Sequence, residues 1–292
     1  MKTVGIIGAG KVGVSFGIGL FSSGPVCVGG YFSRTKDSAV YGATKTSSKV
    51  YDSLDDLVED NDVILIATPD DAVESVWRQL LELNIEGKIV CHTAGSLSSS
   101  VFFDRTTKGA YVASIHPMLA VASKDTSYRA LGSAFFTIEG DPEAVEVLKK
   151  VLEDGAIRYK VLEGADKSAY HLATSLISNS VIALGSVAVD LLKGVGFTEQ
   201  EALKALKPLG MNNLENFFEL GAEDALTGPV ERGDVETVKR HLSVLEGDEK
   251  KRALYVAASR ILAEIARNKH PERDGDAIED LLKGVYDEES NR

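Results

Sequence analysis

Along the first half of the chain, short uninterrupted apolar runs alternate with segments whose apolar residues recur every three or four positions. Residues 3–7 read as a buried strand, 12–20 as a helix and 26–32 as a second strand. A short strand at 49–51 and a short helix at 54–58 follow. The run 62–67, Asp-Val-Ile-Leu-Ile-Ala, is the clearest strand, with a helix predicted over 71–83. Further strands are predicted at 88–92, 111–115, 135–138 and 158–161. Uniformly apolar strands separated by helices predict a parallel sheet covered on both faces.

The pattern changes near residue 163. Beyond it only helical periods remain, over 166–193, 198–219, 234–245, 250–269 and 276–285, with Asp234 placed as an N-cap. The stretch 164–192 is apolar nearly all round, which predicts a buried helix. Two domains are therefore expected. Residues 1–162 form an α/β unit with a doubly wound, mostly parallel sheet, and residues 163–292 form an all-α unit.

Composition narrows the class. The chain has 292 residues, 44% hydrophobic and 26% charged, enough to bury a core. Asp and Glu number 44 against 32 Lys and Arg, a formal charge of −12 that argues against nucleic acid as a partner. Only Cys27 and Cys91 are present, so neither a disulfide framework nor a cysteine metal cluster is expected. The opening residues reach a glycine cluster at once, leaving no room for a signal peptide, and no long uninterrupted apolar run suggests a membrane span. A cytoplasmic protein is the expectation.

The glycine cluster carries chemistry. Gly8-Ala9-Gly10-Lys11-Val12-Gly13 follows a strand and opens a helix, the context in which G-x-G-x-x-G binds a dinucleotide. Gly8 permits the tight turn, Gly10 the approach of a pyrophosphate, and Gly13 close packing of helix on strand. Lys11 and Val12 begin the helix whose positive end meets the phosphates. At the tip of the second strand an acid would bond the ribose of NAD. Here Ser33-Arg34-Thr35-Lys36 stands instead, which favours the 2′-phosphate of NADP(H) over a merely solvated basic loop. Asp37 is close enough that a shift of two residues would reverse this reading.

Polar residues also gather where later strands end. These are Thr68 and Pro69, then His92 to Ser96, then His116 and Pro117, and together they predict a ligand crevice beyond the carboxyl ends of the sheet. Thr68, Pro69 and His92 are assigned to the cofactor and His116 to a substrate, although each histidine by itself also suits a structural role, and Ser96 suits a helix cap. On the long helix, Lys167, His171, Ser175 and Ser178 or Asn179 recur at spacings of three or four. They form either an inter-helix hydrogen-bond seam or a line facing the reacting centre. In the second case His171 is the first proton carrier and Lys167 the second, with Ser175 toward the substrate. Thr227 and Arg232, in the turn 225–234, either bind a substrate oxygen and a carboxylate or simply stop and start helices. No metal-ligand spacing is present.

These motifs, in this order, resemble a family of Rossmann-like oxidoreductases whose helical C-terminal half has no assigned function. The residues that carry the likeness are Gly8–Gly13, Ser33-Arg34, Thr68-Pro69, His92–Ser96, His116-Pro117, the helix 167–179 and Thr227-Gly228-Pro229 with Arg232-Gly233-Asp234. The layout is more distantly similar to 6-phosphogluconate and β-hydroxyacid dehydrogenases, ketopantoate reductase and pyrroline-5-carboxylate reductase. The resemblance implies NADP-linked hydride transfer to or from a small carbonyl, imine or hydroxy acid in a cleft between the domains. It also implies homodimerisation through the helical half. In the β-hydroxyacid enzymes a Lys lies four residues before an Asn. Here that fourth residue is His171, and Asn179, the remaining catalytic candidate, comes later. Two rivals share the nucleotide-binding half: a non-catalytic NADP(H) sensor or scaffold, and a reductase that passes hydride between NADP and a deazaflavin.

Overall fold

The computed structural model describes residues 2–21, 25–124, 127–163, 166–273 and 277–283. By its contacts the chain divides into two compact units, Met1–Asn179 and Ser180–Arg292.

The first unit is built on one eight-stranded sheet: β1 (Lys2–Ile7), β2 (Val26–Phe32), β3 (Lys49–Val50), β4 (Val63–Ile66), β5 (Ile89–His92), β6 (Tyr111–Pro117), β7 (Phe135–Gly140) and β8 (Arg158–Val161). Their spatial order is β3-β2-β1-β4-β5-β6-β7-β8. All neighbours run parallel except β6 and β7, which are antiparallel. Side chains alternate across the pleat, so successive strand residues feed two separate cores. Val63 and Leu65 face α1 (Lys11–Gly19), α2 (Lys36–Thr46), α5 (Tyr128–Leu131) and α6 (Pro142–Asp154). Ile64 and Ile66 face α3 (Leu54–Asp60) and α4 (Asp70–Leu80), with Trp77 and Phe102 at the centre of that layer.

Helices α2 and α6 are absent from the sequence reading. In α2 the positions that face the sheet are Ala39, Gly42 and Ala43, too small to register as an apolar stripe. A Cβ at Gly42 would meet the Tyr31 ring at 3.0 Å, which explains the small residue. In α6 the signal is present, since Ala144, Leu148, Val151 and Leu152 repeat with helical period behind Pro142.

The unit closes with α7 (Lys167–Ser175), started by Asp166, whose carboxylate accepts from the amides of Ser168 and Ala169. A π-helical turn, Leu176–Ser180, ends it. The second unit contains α8 (Val181–Gly194), α9 (Glu199–Leu220), α10 (Ala222–Ala225), α11 (Pro229–Arg232), α12 (Val235–Val244) and α13 (Glu249–Lys269). Thr198 and Glu201 form a reciprocal capping box at the start of α9. Asp234 caps α12 as the sequence predicts, accepting from the Thr237 amide. Of the helix predicted over 276–285, residues 277–283 are described and helical, while its ends, like Gly164 near the predicted domain junction, lie outside the described residues.

One expectation is corrected. Past the buried Lys167, the helical run to Gly194 is not buried; Leu172, Leu176, Ile182 and Leu184 are 47–73% exposed. It is also long and apolar enough, by length and composition alone, to cross a bilayer. Low polarity implies that a surface seeks cover, and within this single chain these side chains find none.

Candidate functional site

The first strand turns into α1 through the three glycines. Gly8 has φ +102°, a conformation that side chains resist, and a Cβ there would press on the Ala67 carbonyl at 2.8 Å. A Cβ on Gly13 would collide with the Gly8 carbonyl, so only glycine lets helix and turn pack. Gly10, the N-cap of α1, is exposed, and a Cβ there would meet nothing within 4 Å. Beside the turn, two residues past the end of β4, lies Thr68, whose buried hydroxyl has no hydrogen-bond partner. An open glycine, free helix-terminal amides and an unpartnered hydroxyl fit the pyrophosphate of a dinucleotide. Lys11 and Pro69 are exposed and Val12 is half-buried beside it.

At the tip of β2, Ser33 is half-buried, and Arg34 and Thr35 are exposed. Asp37 sits in the first turn of α2, while Lys36 pairs with Asp52 at 2.7 Å. Among the described residues no carboxylate pairs with Arg34, which leaves its guanidinium for a ligand phosphate.

Beyond the carboxyl ends of β5 and β6 lies a second cluster. Position 92 pairs with 114 across β5 and β6, and positions 114 and 116 pair with 139 and 137 across β6 and β7. His92, Ser114, His116, Thr137 and Glu139 therefore share one face of the sheet. Helix α7 covers that face. Its buried Lys167 donates from Nζ to Ser114 Oγ at 3.1 Å and lies 5.0 Å over the Tyr170 ring. Burial lowers the Lys167 pKa, opposed by the nearby carboxylates of Glu139 and Asp70. Tyr170 Oη meets His116 Nδ1 at 2.7 Å, and burial raises the phenol's pKa. His116 and His92 are pushed down to about 4, chiefly by burial, so both are neutral near pH 7. A Cβ at Gly95 would lie 2.7 Å from both His116 Nε2 and His171 Nδ1, which shows that these nitrogens converge on the glycine. His171 Nδ1 is buried and unpartnered.

The loop after β5 is sewn to its neighbours. Ser96 donates to Asp70 at 2.7 Å, and Ser99 donates to Glu139 through both its amide, at 2.6 Å, and its hydroxyl, at 2.8 Å. Ser96 thus ties loop to helix rather than capping one; the cap of the short 3₁₀ turn is Ser98. The His92 ring accepts from the Ala94 amide at 3.2 Å through Nδ1, and its Nε2 meets the Ser98 carbonyl at 3.3 Å. With no exposed surface, that ring shapes the loop, and the loop backbone is what it can offer a cofactor.

The structure brings together Lys167, His171 and His116 from the predicted set. Ser175 is half-buried at the end of α7, and Asn179 is exposed within the π turn. Thr227 and Arg232 belong to the second unit, where both are exposed. There His270 ends α13 with Nε2 2.6 Å from the Glu231 carboxylate on α11. Sequence reasoning misses Ser114, Thr137, Glu139 and Tyr170. Ser114 leaves one readable signal: with His116 it forms a polar pair at strand spacing inside an apolar run.

Residues 3–95 match the family described as NADP oxidoreductase, coenzyme F420-dependent, and residues 134–261 match the family described as domain of unknown function DUF2520. The first match spans the glycine turn and β1 to β5, and the second begins at β7 and includes α7. No curated protein matches. Among solved structures, the chain is similar to a protein from Thermotoga maritima, with 25% identity, 91% of this chain and 99% of that one covered, and a TM-score of 0.73. An imine reductase from a Pseudomonas species is 17% identical over 91% of this chain and 97% of its own, with a TM-score of 0.67. A reductive aminase from Aspergillus terreus, solved with NADPH and ethyl-5-oxohexanoate, is 16% identical over 96% and 99%, with a TM-score of 0.63. These likenesses establish the fold.

Proposed function

We propose that this protein is an NADP(H)-dependent oxidoreductase that moves hydride between its cofactor and a small carbonyl, imine or hydroxy acid. The observation that carries the reading is the pairing, within one compact unit, of an open glycine turn with a cluster of the buried Lys167 and the half-buried His171 and His116 at the carboxyl ends of the same sheet. Gly8, Gly10 and Gly13 hold the pyrophosphate, Thr68 and the loop 92–95 flank the nicotinamide end, and Ser33, Arg34 and Thr35 grip the 2′-phosphate. When bound, the cofactor supplies the hydride; the chain's own residues supply orientation and the proton. His171 or Lys167 carries that proton, and His116 and Ser175 hold the substrate. A group that delivers a proton as charge develops contributes about 10²–10⁴ in rate.

In this proposal the exposed apolar side chains of α8 and α9 are covered by a second copy of the chain, giving a homodimer. Asp190, in the same apolar helix, approaches Lys251 of α13 at 3.7 Å, a charge pair that suits a protein interface better than lipid. The free thiols Cys27 and Cys91 suit the reducing cytoplasm.

Equilibrium binding of NADPH and NADH tests the cofactor assignment. NADPH binds more tightly, and Arg34→Ala removes most of that preference. Equal binding of both by the unaltered protein overturns the assignment to NADP. Turnover of NADPH against carbonyls, imines and a deazaflavin then separates the catalytic readings. His171→Ala keeps NADPH affinity and loses turnover if His171 carries the proton. Tight NADPH binding with no turnover on any of them favours the sensor.

A further inference from the structure

We propose that Thr137 and Tyr170 form a hydrogen-bond chain that holds His116 as its Nε2–H tautomer, so that His116 presents a donor to the reacting heteroatom of the substrate. This rests on the functional reading above, and adds a positioning role for two residues and a constraint on the substrate. The heteroatom must offer a lone pair, as a carbonyl oxygen or an unprotonated imine nitrogen does, and a protonated iminium does not.

The geometry supplies the link from phenol to imidazole. Tyr170 Oη lies 2.7 Å from His116 Nδ1, with the rings edge to face at 89°. Thr137 stands directly across the β6–β7 ladder from His116, and its buried hydroxyl has no hydrogen-bond partner in the structure, which leaves it available to the phenol. A phenol oxygen between a hydroxyl and an imidazole nitrogen can accept from the first and donate to the second. That arrangement leaves Nδ1 as acceptor and puts the imidazole hydrogen on Nε2. Burial keeps His116 neutral, and a neutral ring has one donor and one acceptor, so fixing one nitrogen fixes the other. The Tyr170 phenol, raised in pKa by burial, keeps its own proton to give.

Nε2 then points at the space beside Gly95, where any side chain would crowd it at 2.7 Å. Across the same glycine, His171 Nδ1 is buried without a partner, and a donor on His116 avoids setting two bare lone pairs against each other. Tyr170 does not touch the substrate in this scheme. It acts through His116, as a carboxylate does when it fixes the tautomer of a catalytic imidazole.

The test reads the tautomer directly, without cofactor. In protein labelled with ¹⁵N at histidine, long-range ¹H–¹⁵N correlations near pH 7 identify the protonated nitrogen of each ring, with His116→Gln assigning the signals. His116 is expected as the Nε2–H form in the unaltered protein. Tyr170→Phe and, separately, Thr137→Val shift it toward a mixture of tautomers. Tyr170→Phe also lowers kcat by about 10²-fold or more, the scale of a misplaced imidazole hydrogen, with NADPH affinity unchanged. An Nδ1–H tautomer in the unaltered protein, or an unchanged tautomer in well-folded Tyr170→Phe, overturns the proposal. Failure of the unaltered protein to bind NADPH sinks the oxidoreductase reading instead, and is recognised separately because the tautomer measurement needs no nucleotide.

Discussion

At Gly10 and Gly13 the same residue type answers two different demands, and the structure separates them. Gly13 is required by the protein itself, because a methyl group there strikes the Gly8 carbonyl. Gly10 has nothing near it and an extended backbone that alanine also adopts, so in the proposed function its missing side chain serves the nucleotide. Gly13→Ala is therefore expected to lower the melting temperature, whereas Gly10→Ala leaves it unchanged and weakens NADPH binding. Calorimetry and nucleotide titration on the two variants measure this, and a destabilised Gly10→Ala contradicts it. The motif was readable in the sequence because the three glycines are adjacent. Tyr170 could not be assigned a role from sequence, since its partner His116 lies on a strand far away along the chain.

At the scale of elements, the carboxyl ends of β5 and β6 bury two neutral imidazoles. An unfolded histidine takes up a proton near pH 6.5, whereas His92 and His116 resist it down to about 4. Between those values the unfolded chain binds more protons, so stability falls as pH drops through the window, by up to roughly 3 kcal/mol for each residue. Urea unfolding at pH 7 and at pH 4.5 checks the sign. In His116→Gln the loss is smaller, and a stability that does not fall with acidity contradicts the burial of these rings. Strand β2 and the start of α12 were legible to the residue, since an apolar run and an Asp N-cap are local signals. The π turn Leu176–Ser180 was not. It interrupts a polar line that is continuous at helical spacing in the sequence, and Asn179 within it is exposed.

At the scale of the whole molecule, the second unit leaves Ile182 at 73%, Val195 at 74%, Leu209 at 61% and Phe218 at 69% exposure. A proposed second copy covers them, so light scattering gives the mass of two chains, and Ile182→Asp with Phe218→Asp reduces it toward one. A single-chain mass for the unaltered protein overturns the dimer. The sequence alone determined the alternation of strands and helices, the nucleotide turn and the all-helical second half, because each is written in near neighbours and in the period of apolar residues. Only the tertiary structure decided which polar residues meet. The sheet order sets β6 between β5 and an antiparallel β7, and α7 folds back over them, so Lys167 finds Ser114 and Tyr170 finds His116. Those encounters depend on strand register and helix placement, which no local pattern of residues encodes.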